Sequence, residues 1–163
     1  MKKILLLLLF INTASFSQQT LYSLLNKWNK NNVPYISVDS LASINTPITM
    51  LDAREYKEYN ISHLKNAICV GFNSFNIDKT IQQLPKNKQT LIVVYCSLGI
   101  RSEIIAHQLI QKGYFNTFNL YGGIFEWKNH NFKIVDTLGE STEKIHAFNK
   151  DWSKWLKKGE KIY

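Results

Sequence analysis

VVYCSLGIRSE, residues 93–103, is the stretch on which the reading of this chain turns. Residues 90–95 (TLIVVY) form a continuous, β-branched apolar run with no polar alternation. That is the pattern of a strand covered on both faces, as in the middle of a parallel sheet. The run ends on Cys96. A short loop bearing Gly99 and Arg101 follows, and then Ile105, Ala106, Leu109 and Ile110 recur on one helical face up to a stop at Gly113. Strand, tight loop and helix in that order place Cys96 at the carboxyl end of a central strand, where open α/β sheets bind their ligands.

Further from the loop, the same alternation repeats. Residues 34–38, 48–53 (ITMLDA), 67–70 and 115–120 read as strands. Short helices are expected at 39–41, at 55–59 and over 79–84 before Pro85, and a last one holds Phe125 and Trp127 after Gly122-Gly123. Leu21, Leu24, Leu25 and Trp28 share the face of a short amphipathic helix ahead of the breaker-rich 29–34. The expectation is an α/β fold with a mostly parallel central sheet flanked by helices.

At 163 residues the chain suits one domain with a real core. Its start, MKKILLLLLFINTASFSQQ, has the layout of a secretory leader: basic Lys2 and Lys3, an apolar run over 4–11, and Ser15-Phe16-Ser17 as a small-x-small cleavage site. The run falls short of the ~20 apolar residues a membrane span needs. Residues 1–17 are therefore expected to be a signal peptide, and the protein to be exported, most simply to a bacterial periplasm. Loss of Lys2 and Lys3 takes two from the formal +8 and leaves +6. The lysines are scattered except near the C-terminus, and an exported chain without a binding motif is not expected to bind nucleic acid. Cys69 and Cys96, the only cysteines, do not make a disulfide framework, and no CxxC, HExxH or clustered histidine pattern indicates a metal.

The loop CSLGIR, Cys96 through Ser97, Leu98, Gly99, Ile100 and Arg101, has the parts for holding a thiolate. A strand-to-helix turn aims backbone N–H groups at one point, and the helix N-terminus adds partial positive charge. Gly99 permits the curl, and Arg101 supplies a permanent cation with forked donors. Such surroundings lower a thiol pKa and favour the form that attacks sulfur. Ser102 is the expected cap of the following helix, and Glu103 is expected to face solvent.

These motifs resemble the rhodanese family of sulfurtransferases, from about Val33 to about His130. LDAREYKEYNISHLKNAI, residues 51–68, is similar to the upstream signature of that family through Asp52, Arg54, Glu58, Tyr59, His63 and Ala67, with Ser62 and Asn66 in place of two usual glycines. CSLGIRS resembles its active-site loop, and NLYGGIFEW, residues 119–127, its closing Gly-Gly-x-x-x-Trp segment. The Cys-x4-Arg spacing is that of the sulfurtransferases; the related phosphatases use Cys-x5-Arg. The resemblance implies a rhodanese-like domain over 33–130, with helical extensions at 18–32 and 131–163. It implies sulfur transfer from thiosulfate or a similar small donor to a thiol or cyanide through a Cys96 persulfide, with no cofactor. A binding or persulfide-carrier module serving a protein partner is the alternative.

Other residues are expected to be structural. Asp52 and Arg54 belong near the loop by resemblance, and as neighbours on a strand end they suit a buried ion pair. His63 is expected to cap or to edge a strand, Cys69 to fill the core, and Gly122 and Gly123 to supply turn geometry. In the tail, Ile145, Phe148, Trp152, Trp155 and Leu156 fit one face of a helix with a lysine-rich opposite face. That helix is expected to pack on the domain, with a membrane surface or a protein partner as the other use of its basic face.

Overall fold

The computed structural model describes residues 20–163; the leader expected over 1–17 lies outside them. The chain opens with helix α1 (Leu21–Trp28), capped by Thr20, whose hydroxyl accepts the Ser23 N–H. Then come β1 (Tyr35–Ile36), α2 (Val38–Ala42), β2 (Thr49–Asp52), α3 (Tyr56–Ile61), β3 (Ile68–Cys69) and α4 (Ile77–Gln83). The central unit is β4 (Ile92–Tyr95), α5 (Arg101–Gln111), β5 (Thr117–Leu120) and α6 (Gly123–Asn129). The five strands form one parallel sheet in the order β1-β5-β4-β2-β3. The α/β architecture read from the sequence is the one observed.

All four residues of β4 are buried, as its unbroken apolar run requires. It pairs with β2 on one side and β5 on the other, and the two faces of the sheet feed separate apolar clusters. Val93, Tyr95, Leu120, Ile124 and Phe125 lie in one, and Ile92, Val94, Ile105, Ala106 and Leu109 in the other. Because strand side chains alternate faces, one register slip would exchange the two sets.

Beyond α6 the expected C-terminal helix is absent. Residues 134–162 instead form β6 (Ile134–Val135), β7 (Ser141–Thr142), β8 (Lys144–His146), a 3-10 turn (Ser153–Trp155) and β9 (Glu160–Ile162). The strands β6 and β7 pair antiparallel, while β8 and β9 pair parallel. The physical cause is local. Phe148 has φ of 67°, which no α-helix accommodates, and the Asn149 side chain accepts the Trp152 N–H in a tight turn. The apolar residues still pack inward: Ile145, Ala147 and Leu156 are buried in the domain core beside Trp152 and Trp155. Among the described residues no helix is long and apolar enough to cross a membrane.

Candidate active site

Cys96 is the first residue after β4, and the loop turns sharply from there into α5. The turn requires Gly99, whose φ is 106°. Its carbonyl is held from two sides, by Asn29 Nδ2 and Asn119 Nδ2, each at 2.8 Å. The N-terminal extension and β5 therefore both grip the loop. The segment after β5 supports it from beneath: Ile124 N–H donates to the Cys96 carbonyl at 2.9 Å and Phe125 N–H to that of Ser97 at 3.2 Å. Gly122 and Gly123 have φ of 73° and 55°, so both supply the turn expected of them. A Cβ on Gly123 would also collide with the Cys96 carbonyl oxygen. Gly123→Ala is expected to cost about 2–3 kcal/mol through left-handed strain and displacement of the loop, read as a lower denaturant midpoint.

At the thiol, Gly99 N–H points at Cys96 Sγ from 3.1 Å. The Ser102 hydroxyl stands 3.5 Å from the sulfur and 2.7 Å from Asn119 Oδ1. It has a single proton to share between them, and the shorter contact is to Asn119. Burial alone pushes the Cys96 thiol up. The Arg101 charge, the Ser102 hydroxyl and the amides of Ser102 and Gly99 outweigh it and hold the thiol below its ordinary range. Cys69 shows the contrast: burial and nearby Asp52 push that thiol up, and its Sγ contacts the Arg54 carbonyl. Cys69 is half-buried, not a core residue, and both cysteines are free.

Glu58, to which the sequence reading gave no role, is the carboxylate of the site. It is fully buried on α3 and takes a two-pronged ion pair from Arg101, with Nη1 at 2.6 Å from Oε2 and Nη2 at 2.8 Å from Oε1. Ser97 Oγ completes the group, 3.3 Å from Glu58 Oε1 and 3.1 Å from Arg101 Nη2. The Arg101 pair and burial have opposite effects on Glu58, and the pair prevails, holding its carboxyl below the usual range. Leu98 is buried, and Ile100 is the residue preceding α5.

Ser102 is not the helix cap; it lies inside α5, buried, with its hydroxyl between Asn119 and the thiol. Glu103 is likewise buried and accepts the Lys30 N–H at 3.0 Å, which ties α5 to the N-terminal extension instead of reaching solvent. Asp52 and Arg54 form the expected buried pair, at 2.7 Å, with Arg54 also donating to the Ser62 carbonyl at 2.6 Å. Their side-chain bonds stay between the two residues and the Ser62 carbonyl, and the Arg54 guanidinium lies over the Tyr95 ring. His63 bridges to Val135 as a strand-edge residue. The wall of the site comes from the tail: Phe148 and Trp152 join Cys96, Ser97, Leu98, Ile100 and Arg101 around one pocket of about 270 Å³.

Residues 37–130 match the Rhodanese-like domain family, more than half of the chain. The chain belongs to that family. A thiosulfate sulfurtransferase from Pseudomonas aeruginosa shares the fold at a TM-score of 0.58 and 20% identity, over 76% of this chain and 23% of that one. A rhodanese-related protein from Thermoplasma volcanium does so at 0.55 and 24%, over 63% and 97%. Among curated relatives, a tRNA uridine(34) hydroxylase from Yersinia enterocolitica is 33% identical over 97 residues, 57% of this chain and 28% of that protein. One from Hamiltonella defensa is 29% identical over 114 residues, 69% and 30%. This rhodanese-like chain thus spans less than a third of the length of those curated relatives.

Proposed function

We propose that the protein is a sulfurtransferase that carries a sulfane sulfur as a persulfide on Cys96. Its support is one observation: a thiol at a strand end, 3.1 Å from an inward amide, whose acidity is raised by the charge of Arg101. The Cys96 thiolate attacks the outer sulfur of thiosulfate or a similar donor. The donor's sulfur–sulfur bond breaks, and its electron pair leaves with sulfite. The loop amides that face the thiolate then face the persulfide. A thiol or cyanide takes the outer sulfur and restores the thiolate. The tRNA uridine(34) hydroxylases share less than a third of their length with this chain. The leader-like start favours action outside the cytoplasm, and fractionation of cells expressing the whole chain tests that.

A rhodanese assay with thiosulfate and cyanide tests the reading directly, by the thiocyanate formed. The acidity of Cys96 has its own readout. Alkylation of Cys96 follows the thiolate, so its rate rises with pH and levels off above the thiol pKa. In the wild type the rise comes at lower pH than the ~8.5 of a free cysteine. Arg101→Ala removes the largest stabilising charge and moves the rise to higher pH. An unchanged alkylation profile in that variant would remove Arg101 from the activation of Cys96.

A further inference from the structure

Arg101 is poorly placed to receive a small dianion. Both of its terminal nitrogens are engaged by Glu58, one of them also by Ser97, and the Phe148 ring lies 5.0 Å from its guanidinium carbon. Glu58 offsets the arginine's attraction for an incoming anion, and with a Cys96 thiolate the three side chains sum to one negative charge. The partial positive end of α5 offsets about half of that. The rest of the pocket is apolar: Leu98, Ile100, Phe148 and Trp152. Phe148 and Trp152 lie outside the matched 37–130, so the tail adds this wall to the family fold.

Resting on the sulfurtransferase reading, we propose that the preferred donor is a monoanionic organic sulfane compound, an apolar group joined through a polar linking centre to a terminal sulfur, with the apolar group seated against Phe148 and Trp152. Benzenethiosulfonate is the probe. The Cys96 thiolate attacks its terminal sulfur, and a new sulfur–sulfur bond forms to give the Cys96 persulfide anion. The old sulfur–sulfur bond breaks, and its electron pair leaves on benzenesulfinate. Two negative charges enter the step and two leave it, and no other oxidant or reductant takes part. Replacing one oxyanion of thiosulfate by a phenyl ring removes one repelling charge and adds a face that the pocket covers.

The test compares benzenethiosulfonate with methanethiosulfonate, which has the same leaving chemistry without the ring. The wild-type kcat/KM ratio is expected to favour the aryl donor by about tenfold or more, and Phe148→Ala to bring it within about threefold. Phe148→Arg, at the same half-exposed position, is expected to shift preference toward thiosulfate. A second arm needs no turnover: benzenesulfonate slows alkylation of Cys96, and sulfate at equal concentration does not. Turnover of all donors with a ratio indifferent to both variants would overturn the apolar subsite and leave sulfur transfer standing. Equal protection by sulfate and benzenesulfonate would overturn it too. Protection by benzenesulfonate alone, with no donor turned over, would support the subsite and refute the transferase reading.

Discussion

Cys96→Ser is expected to lower sulfur transfer by about three orders of magnitude or more, because a serine hydroxyl is neither anionic at neutral pH nor able to form a persulfide. The substitution is nearly isosteric, and the loop is held by bonds that do not involve the sulfur. Asn29 and Asn119 grip the Gly99 carbonyl, and Ile124 and Phe125 bond the carbonyls of Cys96 and Ser97. The variant should therefore unfold near the wild-type midpoint while its thiocyanate production falls to background. Cys69→Ser, altering the thiol that burial pushes up, is expected to retain activity. Activity lost equally in both would locate the chemistry wrongly.

The second large effect is on stability. Asp52 and Arg54 are both fully buried and bonded to each other, and Arg54 also holds the Ser62 carbonyl. Removing one partner leaves a charge in the interior with nothing to compensate it. Asp52→Ala is expected to cost about 3–5 kcal/mol, a fall of about 10 °C or more in Tm for a domain of this size. Asp52→Leu combined with Arg54→Met removes both charges and should recover much of the loss. Thermal unfolding of the single and double variants decides between a pair that stabilises by its charges and one that merely needs both members. A single variant within about 1 kcal/mol of wild type would contradict the buried geometry.

Patterning explains what was legible in the sequence. The run over 90–95 admits few structures other than a central strand, and Gly99 and Gly122-Gly123 mark turns whose positive φ the structure confirms. Glu58 was hidden because a glutamate in a short helix looks the same whether it meets water or a buried arginine. Only its spacing to Arg101 in three dimensions reveals the pair, across 43 residues. Glu103 was misread for the same reason, its partner being a backbone N–H from the N-terminal extension. In the tail, the positions of Ile145, Phe148, Trp152 and Leu156 mimic a helical face. The left-handed Phe148 and the parallel pairing of β8 with β9, both non-helical, override that spacing. Helical periodicity matched the inward positions of Ile145 and Leu156, but Phe148 is half-exposed and the backbone that carries them is not helical.

Sulfur transfer here depends on a brief loop that makes the Cys96 sulfur anionic and lets it hold a second one. Intact-mass spectrometry after incubation with a sulfane donor, with peptide mapping, addresses that claim most directly. The expected result is a gain of about 32 Da, one sulfur atom, on the Cys96 peptide alone, discharged by cyanide as thiocyanate. A freely alkylated Cys96 that gains no sulfur from any donor, or an adduct found on Cys69 instead, would contradict it.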